Sequence, residues 1–429
     1  MTPAYDVVVV GGRVAGASTA LLLAQAGVKV ALVDRGRRGS DIVSTHALMR
    51  AGVLQLLRWG ILPDVIDAGT PPVRKVVFHY TDRQPVRVIL RPSAGVDALY
   101  APRRHVIDRL LVDAAAAAGA EVLHETTATE LLRDPTGRVA GVRVLGRRGD
   151  TANLRASFTV GADGLRSTVA AGVAAPVLRQ GMSEGAFLYR YFEDLPAEGY
   201  EWGYGDRAAA GLIPTNDATC VFEATAPAAL RRLRRDGSEE AFNTVLATAA
   251  PDFVERVAVA TPASSLHGWA GAPGFLRRCY GPGWALIGDA GYFKDPITTH
   301  GMSDAMRDAE LLTEALLGVL SGSPEAATLA AYERTRDSLS SQLFAVTEAV
   351  AGFDWDLDRL RLLLREVNSA MADEMDYLQA LPERRTSGPD LSPPSRPTLP
   401  TRGSEQKHVL NDDLAGEPLP DRCASRQHV

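Results

Sequence analysis

Long uninterrupted hydrophobic runs and a regular set of cysteines are both absent from the 429-residue sequence. The three cysteines, Cys220, Cys279 and Cys423, are scattered and lack metal-ligand spacing. This argues against a disulfide framework or a metal site and favours a reducing compartment. The most apolar early stretch, 16–33, is interrupted by polar residues and glycine, so we expect no membrane span. No secretory signal precedes the apolar run at 5–10, and we therefore predict a cytoplasmic protein.

A surplus of basic residues is absent as well. The sequence has 46 Lys and Arg against 52 Asp and Glu, which gives a formal net charge of -6. This balance gives no reason to expect a nucleic acid or an anionic membrane as a partner. Apolar residues make up 46% and charged residues 23%, as in ordinary globular proteins. Because the length exceeds that of one hydrophobic core, we expect two packed regions and a tail.

The first 34 residues have the pattern of a nucleotide-binding βαβ unit. An apolar strand at 5–10 leads through a glycine-rich turn into an alanine- and leucine-rich helix, and a second apolar strand ends at Asp34. Glycines permit a tight turn and close helix packing, and the free N–H groups at the helix N-terminus suit a pyrophosphate. Asp34 is placed to accept a hydrogen bond from a ribose hydroxyl. The turn consists of Gly11, Gly12, Arg13, Val14, Ala15 and Gly16.

Arg13 replaces the middle glycine of the usual fingerprint. A side chain at this position takes up space, but its guanidinium could reach a phosphate. A second fingerprint of this kind is absent from the sequence, so we expect no separate nucleotide-binding domain for NAD(P)H.

Two further turns combine glycine with aspartate after strand-like segments. The turn 161–164 (GADG) follows the segment 152–160, and the turn 288–290 (GDA) follows 284–288. A carboxylate at the end of a strand suits contact with a polyhydroxylated chain. Gly301 then opens a helix whose free N–H groups could stabilise negative charge on a bound group. Taken alone, each of these pairs is more often a simple turn.

The order of the three motifs resembles that of the FAD-dependent monooxygenases of the aromatic-hydroxylase type. The resemblance covers about residues 4–345. Within this superfamily the chain is most similar to bacterial flavin-dependent oxidoreductases that share GxRxAG, S-T-H and GDAGYxKDPIT segments. These are matched here by Gly11–Gly16, Ser44–His46 and Gly288–Thr298. The resemblance implies an α/β fold, in which a Rossmann-like FAD-binding domain carries an inserted mixed-sheet substrate domain and C-terminal helices.

The composition and the resemblance divide the chain into four segments. Residues 1–171 would form the FAD-binding domain, with part of the substrate region at about 74–100. Residues 172–280 would form the substrate domain, and 281–381 would complete the FAD-binding domain and add the C-terminal helices. Residues 382–429 contain eight prolines and few large apolar groups, which predicts a disordered tail. Helices are predicted at about 16–26, 106–118, 302–319, 325–349 and 357–379.

The resemblance also assigns cofactor contacts to individual residues. Asp34 would hold the adenosine ribose, and Arg104 would approach FAD from the start of a helix. Asp163 would belong to the motif that touches FAD and reduced nicotinamide, and Asp289 would bind the ribityl and pyrophosphate region. The remaining predicted contacts are Arg35, Gly288, Pro296 beside the isoalloxazine, and the backbone of Gly301 and Met302 at the pyrimidine ring.

Catalytic side chains are harder to identify from the sequence. His46 follows a loop that the resemblance places near the flavin, where it would orient the substrate, act as acid or base, or simply pack against the cofactor. His300 has the same alternatives. Lys294 and Asp295 could form an ion pair with each other or take part in substrate binding. Four aromatic residues could line a substrate pocket or belong to the core: Tyr189, Tyr191, Tyr200 and Trp202.

The leading functional prediction from the resemblance is a FAD-dependent monooxygenase of secondary metabolism. It would insert one atom of O2 into a small, largely apolar or aromatic molecule through a flavin C4a-hydroperoxide, with electrons from NAD(P)H directly or through a flavin reductase. The alternative is a geranylgeranyl-reductase-like dehydrogenase or reductase that transfers hydride without oxygen insertion. A halogenase is disfavoured because the Trp-x-Trp-x-Ile-Pro signature is missing. A non-enzymatic flavin-binding sensor is the third hypothesis.

Overall fold

A computed structural model describes residues 4–41, 44 and 47–382 of the chain. The candidate catalytic residue His46 therefore lies outside the described residues. The predicted disordered tail also lies outside them from residue 383 onward.

Strands and helices follow one another along the whole described chain. The strands are β1 Tyr5–Val10, β2 Val30–Val33, β3 Lys75–Tyr80, β4 Arg83–Ile89, β5 Glu121–Leu123, β6 Thr126–Arg133, β7 Val139–Gly146, β8 Thr151–Gly161, β9 Val177–Gln180, β10 Ala186–Glu193, β11 Tyr200–Gly205, β12 Ala208–Thr215, β13 Ala218–Thr225, β14 Thr261–Pro262, β15 His267–Trp269, β16 Phe275–Arg277, β17 Tyr280–Gly281, β18 Trp284–Leu286 and β19 Tyr292–Phe293. The helices are α1 Val14–Gln25, α2 Arg50–Arg58, α3 Leu62–Asp67, α4 Arg104–Ala117, α5 Thr168–Gly172, α6 Pro227–Leu233, α7 Ser238–Ala249, α8 Pro251–Ala258, α9 Gly301–Leu320, α10 Glu325–Ala351 and α11 Leu357–Ala380.

The first sheet is built around β1, which lies parallel to β2 on one side and to β8 on the other. Its order is β17-β18-β8-β1-β2-β5; β7 also pairs with β8, and β6 pairs with β7. The four valines of β1 are buried, as expected for a strand covered on both faces. Because β1, β2, β8 and β18 run parallel, their carboxyl ends meet at one edge of the sheet. The three predicted cofactor motifs therefore lie together at that edge.

The second sheet has the order β14-β10-β13-β12-β11-β3-β4, with β15 on β10. It is mixed, because β3 pairs parallel with β11 while the other pairings are antiparallel. One face packs against α7 and α8, and the other packs against α10 and α11. The sequence segment 74–100 contributes β3 and β4 to this sheet, and the α/β fold with a mixed second sheet is confirmed. The four domain bounds themselves stay predictions.

A buried carboxylate fastens the second sheet to α8. Glu201 on β11 is 1% exposed and accepts hydrogen bonds from both terminal nitrogens of Arg256, at 2.9 and 2.8 Å. His79 Nε2 lies 3.0 Å from the same carboxylate. Burial alone would raise the pKa of Glu201, but the hydrogen bonds from Arg256 and His79 outweigh it and lower the pKa to about 2.

Removing Arg256 is therefore predicted to destabilise the second sheet. Arg256→Met leaves a buried carboxylate with one partner fewer, and we expect the free energy of unfolding at neutral pH to fall by about 3 kcal/mol. Because the pKa of Glu201 is lower in the folded protein, its ionised carboxylate stabilises the fold fully above pH 4.5, the ordinary pKa of Glu. This contribution is lost as the pH falls towards 2. The difference between wild type and variant, measured by urea unfolding, should thus shrink below pH 4.5.

The matched control is Arg207→Met, because Arg207 forms an exposed ion pair with Asp354. Exposed pairs contribute about 0–1 kcal/mol. Equal losses in the two variants, or a loss at Arg256 that does not change with pH, would contradict the assignment.

Candidate cofactor and substrate site

A cavity of about 570 Å³ runs from the carboxyl edge of the first sheet to the second sheet. One end is lined by the turns after β1 and β2. The middle is lined by the turn 162–166 and by Gly288 and Asp289, and the far end by residues 293–302 together with side chains of the second sheet. The cavity thus joins all three predicted cofactor motifs.

The glycine-rich turn owes its shape to two contacts that a Cβ atom would prevent. Gly11 has a φ of +110°, and a Cβ there would lie 2.4 Å from the carbonyl oxygen of Ala162. A Cβ at Gly16 would lie 1.8 Å from the carbonyl oxygen of Gly11. Gly11, Val14 and Ala15 line the cavity. Gly12 and Gly16 are instead packing positions behind it.

The N-terminus of α1 fits a pyrophosphate group. Within the described part of the chain no side chain caps this helix, whose N-cap is Arg13. The first N–H groups of a helix have no intrahelical acceptor, and they carry partial positive charge. Their position at the cavity wall fits the phosphates of a dinucleotide.

Asp34 ties the end of β2 to the glycine-rich turn. Its Oδ2 accepts a hydrogen bond from the Gly12 N–H at 2.6 Å, and its Oδ1 accepts one from the Gly36 N–H at 2.6 Å. The carboxylate and the neighbouring Arg35 both line the cavity. An oriented carboxylate at this place would suit the ribose of an adenosine moiety, and this contact stays a prediction.

Two arginines at the same end share a buried acid. Arg13 donates to the carbonyl oxygen of Ser40 at 2.7 Å and to Asp108 Oδ2 at 3.0 Å. Arg104 contacts the same Asp108 carboxylate at 3.2 Å. Both arginines line the cavity. Arg13 therefore fastens the turn to α4, and its contact with a phosphate stays a prediction, as does the contact of Arg104 with FAD.

Asp163 caps a helix and also lines the cavity. It caps the short helix α5, because Oδ1 accepts from Ser167 Oγ at 2.5 Å and Oδ2 accepts from the Thr168 N–H at 2.6 Å. It also lines the cavity. The cap explains its conformation without a ligand, so its contact with FAD and nicotinamide stays a prediction.

Asp289 lies in a single 3₁₀ turn, Gly288–Ala290, directly beside α1. Gly288 permits this approach, since a Cβ there would lie 2.9 Å from that of Ala15. The Asp289 side chain faces the cavity and is exposed to it. Desolvation by the surrounding protein raises its pKa to about 6, although Arg104 and Lys294 act in the opposite direction. An accessible carboxylate at this place can accept hydrogen bonds from the hydroxyls of a bound ligand.

The far end of the cavity is formed by a second 3₁₀ turn, Pro296–Thr298, and the start of α9. Pro296, Gly301 and Met302 all line it, and their contacts with a flavin stay predictions. No side chain caps α9 within the described residues. The helix N-terminus is therefore open to a group that carries negative charge.

The predicted ion pair between Lys294 and Asp295 is wrong. Asp295 caps the 3₁₀ turn by accepting from the Ile297 N–H at 2.9 Å, and it also accepts from the Gly185 N–H at 2.6 Å. Lys294 instead contacts Asp304 on α9. The two neighbours in sequence point to different partners because the turn begins between them.

Behind Lys294 lies a buried group of charged side chains that joins α9 to α11. Arg307 donates to Asp304 at 3.1 Å and to Glu374 at 2.8 Å. Glu374 also contacts Nε2 of His300, which lines the cavity. His300, Asp304 and Glu374 lie close enough to surround a cation. Because the side chains of Lys294 and Arg307 already contact these acids, we assign no metal.

Sequence reasoning missed Arg307 and Glu374. Their contact spans 67 residues, which no local pattern reveals. A signal was nevertheless present, since Asp304 and Arg307 lie on the inner face of a helix where apolar residues are expected.

Aromatic side chains of the second sheet close the far end of the cavity. Phe187, Tyr189 and Trp269 line it together with Phe293. The rings of Tyr189 and His267 stack with centroids 5.2 Å apart. Burial raises the pKa of the Tyr189 phenol, so the hydroxyl stays protonated. The other three aromatic candidates, Tyr191, Tyr200 and Trp202, belong to the core between this sheet and the C-terminal helices.

The turn, the carboxylate after the second strand and the long cavity together define a dinucleotide-binding protein of the Rossmann type. The chain belongs to the family described as FAD binding domain, whose model matches residues 4–347. Across the described residues, no helix is both long enough and apolar enough to traverse a membrane.

Proteins of known activity resemble the chain over most of its length. Digeranylgeranylglycerophospholipid reductase of Methanothrix thermoacetophila is 28% identical to the chain. The match covers 86% of this chain and 93% of the reductase. Tetracenomycin A2 monooxygenase-dioxygenase of Streptomyces glaucescens is 25% identical, with 85% of this chain and 71% of the relative covered. The chain is accordingly a FAD-dependent oxidoreductase.

Solved structures confirm the fold. The myxobacterial chondrochloren halogenase matches with a TM-score of 0.72 at 21% identity, covering 89% of this chain and 91% of that chain. Aklavinone-11 hydroxylase, solved with FAD and aklavinone, matches with a TM-score of 0.65 at 20% identity, covering 82% and 69%. At these identities the likeness concerns the fold alone.

Asp289 provides a test of the cofactor site. Asp289→Ala removes the carboxylate beside α1, and we expect the flavin content of the purified protein to fall about tenfold, as for the loss of one charged hydrogen-bonding partner. The measurement is flavin absorbance per protein, with circular dichroism to show that the fold is retained. Asp206→Ala, at an exposed turn, is the control and should retain full flavin. Equal flavin content in both variants would refute the role of Asp289.

Proposed function

We propose that the protein is a FAD-dependent monooxygenase that acts on a small, largely apolar or aromatic molecule. The observation that carries the proposal is the continuity of the cavity. Its flavin end, at Pro296 and Met302, opens directly onto the aromatic wall formed by Phe187, Tyr189 and Trp269. A substrate on that wall would lie beside the reactive part of the cofactor.

Bound FAD would supply two-electron redox chemistry and, once reduced, the reaction with O2. The residues of the chain would bind, orient and exclude water. The open N-terminus of α9 favours negative charge at Gly301 and Met302. The apolar side chains at the far end restrict water, which limits wasteful release of reduced oxygen species.

Tyr189 is our candidate for orienting the substrate. Its hydroxyl stays protonated because burial raises the phenol pKa, so it would donate a hydrogen bond to an oxygen of the ligand. The stacking of its ring on His267 fixes the side chain. A planar substrate would find a matching aromatic surface there.

Electrons would come from NAD(P)H, either directly or through a separate flavin reductase. The described chain forms one βαβ nucleotide turn, at Gly11–Gly16, and we propose that FAD occupies it. Reduced nicotinamide would then approach from the solvent side near Asp163, which lines the cavity.

A FAD-dependent reductase is the second candidate function. It is supported by the reductase of Methanothrix thermoacetophila at 28% identity over nearly its whole length. The aromatic wall formed by Phe187, Tyr189 and Trp269 favours the first candidate, because flat rings suit an aromatic substrate.

The two candidates are separated by the reaction of the reduced enzyme with oxygen. The flavin-loaded protein is reduced anaerobically and mixed with O2 in a stopped-flow spectrometer, with and without candidate aromatic substrates. For a monooxygenase we expect a transient absorption band that differs from those of oxidised and reduced flavin. It should be followed by oxidised flavin and an oxygenated product.

A direct return of oxidised flavin, unchanged by any substrate, would contradict oxygen insertion. If an alkene substrate then reoxidised the reduced flavin in the absence of oxygen, this would establish the reductase function.

A further inference from the structure

Lysine is rare in this chain, and one lysine lies in the cofactor cavity. The sequence has lysines at 29, 75, 294 and 407, while its other basic residues are arginines. The Lys294 side chain is 3% exposed, and the residue lines the cavity beside Pro296 and Gly301. Unlike arginine, a buried lysine changes its protonation readily, so the residue type matters at this position.

Charged groups face Lys294 from every element packed around it. Asp304 on α9 is in direct contact. Arg307 and Asp308 on α9 and Glu374 on α11 also act on its charge, as does Asp289 in the 3₁₀ turn Gly288–Ala290. His300, the N-cap residue of α9, interacts with it as well. The Tyr292 ring lies 5.1 Å from the ammonium.

These surroundings leave Lys294 close to the balance between its charged and neutral forms. Burial and the nearby Arg307 lower its pKa to about 7, while the acids act in the opposite direction. Any new negative charge in the cavity would therefore draw a proton onto the amine.

We propose that Lys294 is the proton-accepting counter-charge of the reduced flavin. The proposal rests on FAD occupying this cavity and not on oxygen insertion. Hydride transfer from a nicotinamide donor brings two electrons and one proton to the cofactor and leaves one additional negative charge there. The neutral amine of Lys294 then takes one proton from water, so that the site as a whole gains two electrons and two protons.

The other groups of the network are less suited to this role. Arg307 is permanently charged, since its acidic neighbours raise its pKa despite burial. His300 is held neutral by burial, which lowers its pKa. Asp304 already contacts both Lys294 and Arg307. Asp289, with a pKa of about 6, lies on the 3₁₀ turn beside α1 and not beside Pro296 and Gly301.

The test is the two-electron midpoint potential of the bound FAD as a function of pH, measured anaerobically without substrate. One proton taken up per two electrons gives a slope of about 30 mV per pH unit, and two protons give about 59 mV. For the wild type we expect the smaller slope below the Lys294 pKa of about 7 and the larger slope above it.

Two substitutions of Lys294 separate the effect of its positive charge from the effect of its proton uptake. Lys294→Met removes the charge and the proton uptake, so the slope should stay near about 30 mV per pH unit on both sides of pH 7. Reduced FAD should then bind about tenfold to a hundredfold more weakly relative to oxidised FAD, which lowers the potential by about 30 to 60 mV at neutral pH. Lys294→Arg keeps the charge, so the slope should again stay near 30 mV without that drop in potential.

The control is Lys75→Met, because Lys75 pairs with Glu198 at the surface and does not line the cavity. It should match the wild type in both slope and potential. A wild-type slope that stays constant across pH 7, or a change of slope that persists in either Lys294 variant, would overturn the proposal. If the methionine variant loses its flavin, the arginine variant alone decides. Because oxygen and substrate are absent, the result is independent of the proposed monooxygenase reaction.

Discussion

The parallel pairing of β1 with β2 and β8 positions every other part of the site. It brings the ends of these strands, and of β18 beside them, to one edge of the sheet. The close contact of the glycine-rich turn with Ala162 and with the start of α1 then leaves room at this edge. Neither contact tolerates a Cβ atom. A single larger residue at Gly16 would push α1 away and remove the helix N-terminus from the cavity.

Electrostatics divide the cavity into two ends. At the end beside the turns after β1 and β2, Asp34 is held by two backbone N–H groups and two arginines share Asp108. At the end beside Pro296 and α9, Lys294 and Arg307 are surrounded by buried acids. Burying so many charges costs stability unless they are paired well, so such a network is weak evidence for a purely structural role. Its position directly behind the cavity wall is what supports a role in redox chemistry.

Regular structure could be predicted from the sequence where the pattern was long or strongly apolar. The predicted helix at 302–319 is observed as Gly301–Leu320, and that at 357–379 as Leu357–Ala380. The βαβ unit was equally clear, because four consecutive valines followed directly by a glycine-rich turn and a helix are typical of it.

Side-chain partners could not be predicted in the same way. The sequence indicated that Arg13 could reach a phosphate, which stays a prediction, but it did not reveal the contacts of the guanidinium with Ser40 and with Asp108, which lies 95 residues further along the chain. Lys294 was expected to pair with its neighbour Asp295, whereas the fold directs it to α9. Such choices depend on how distant helices pack, and sequence spacing carries no information about that.

The central claim is that this cavity binds the whole FAD dinucleotide, from Asp34 to Met302. The most direct measurement is the titration of flavin-free protein with FAD and with FMN, followed by tryptophan fluorescence. FMN lacks the adenosine half that Asp34 and the turn after β1 would hold. We predict that FAD binds at least about a hundredfold more tightly, a difference of about 2.7 kcal/mol. Equal affinities for FAD and FMN would contradict the account.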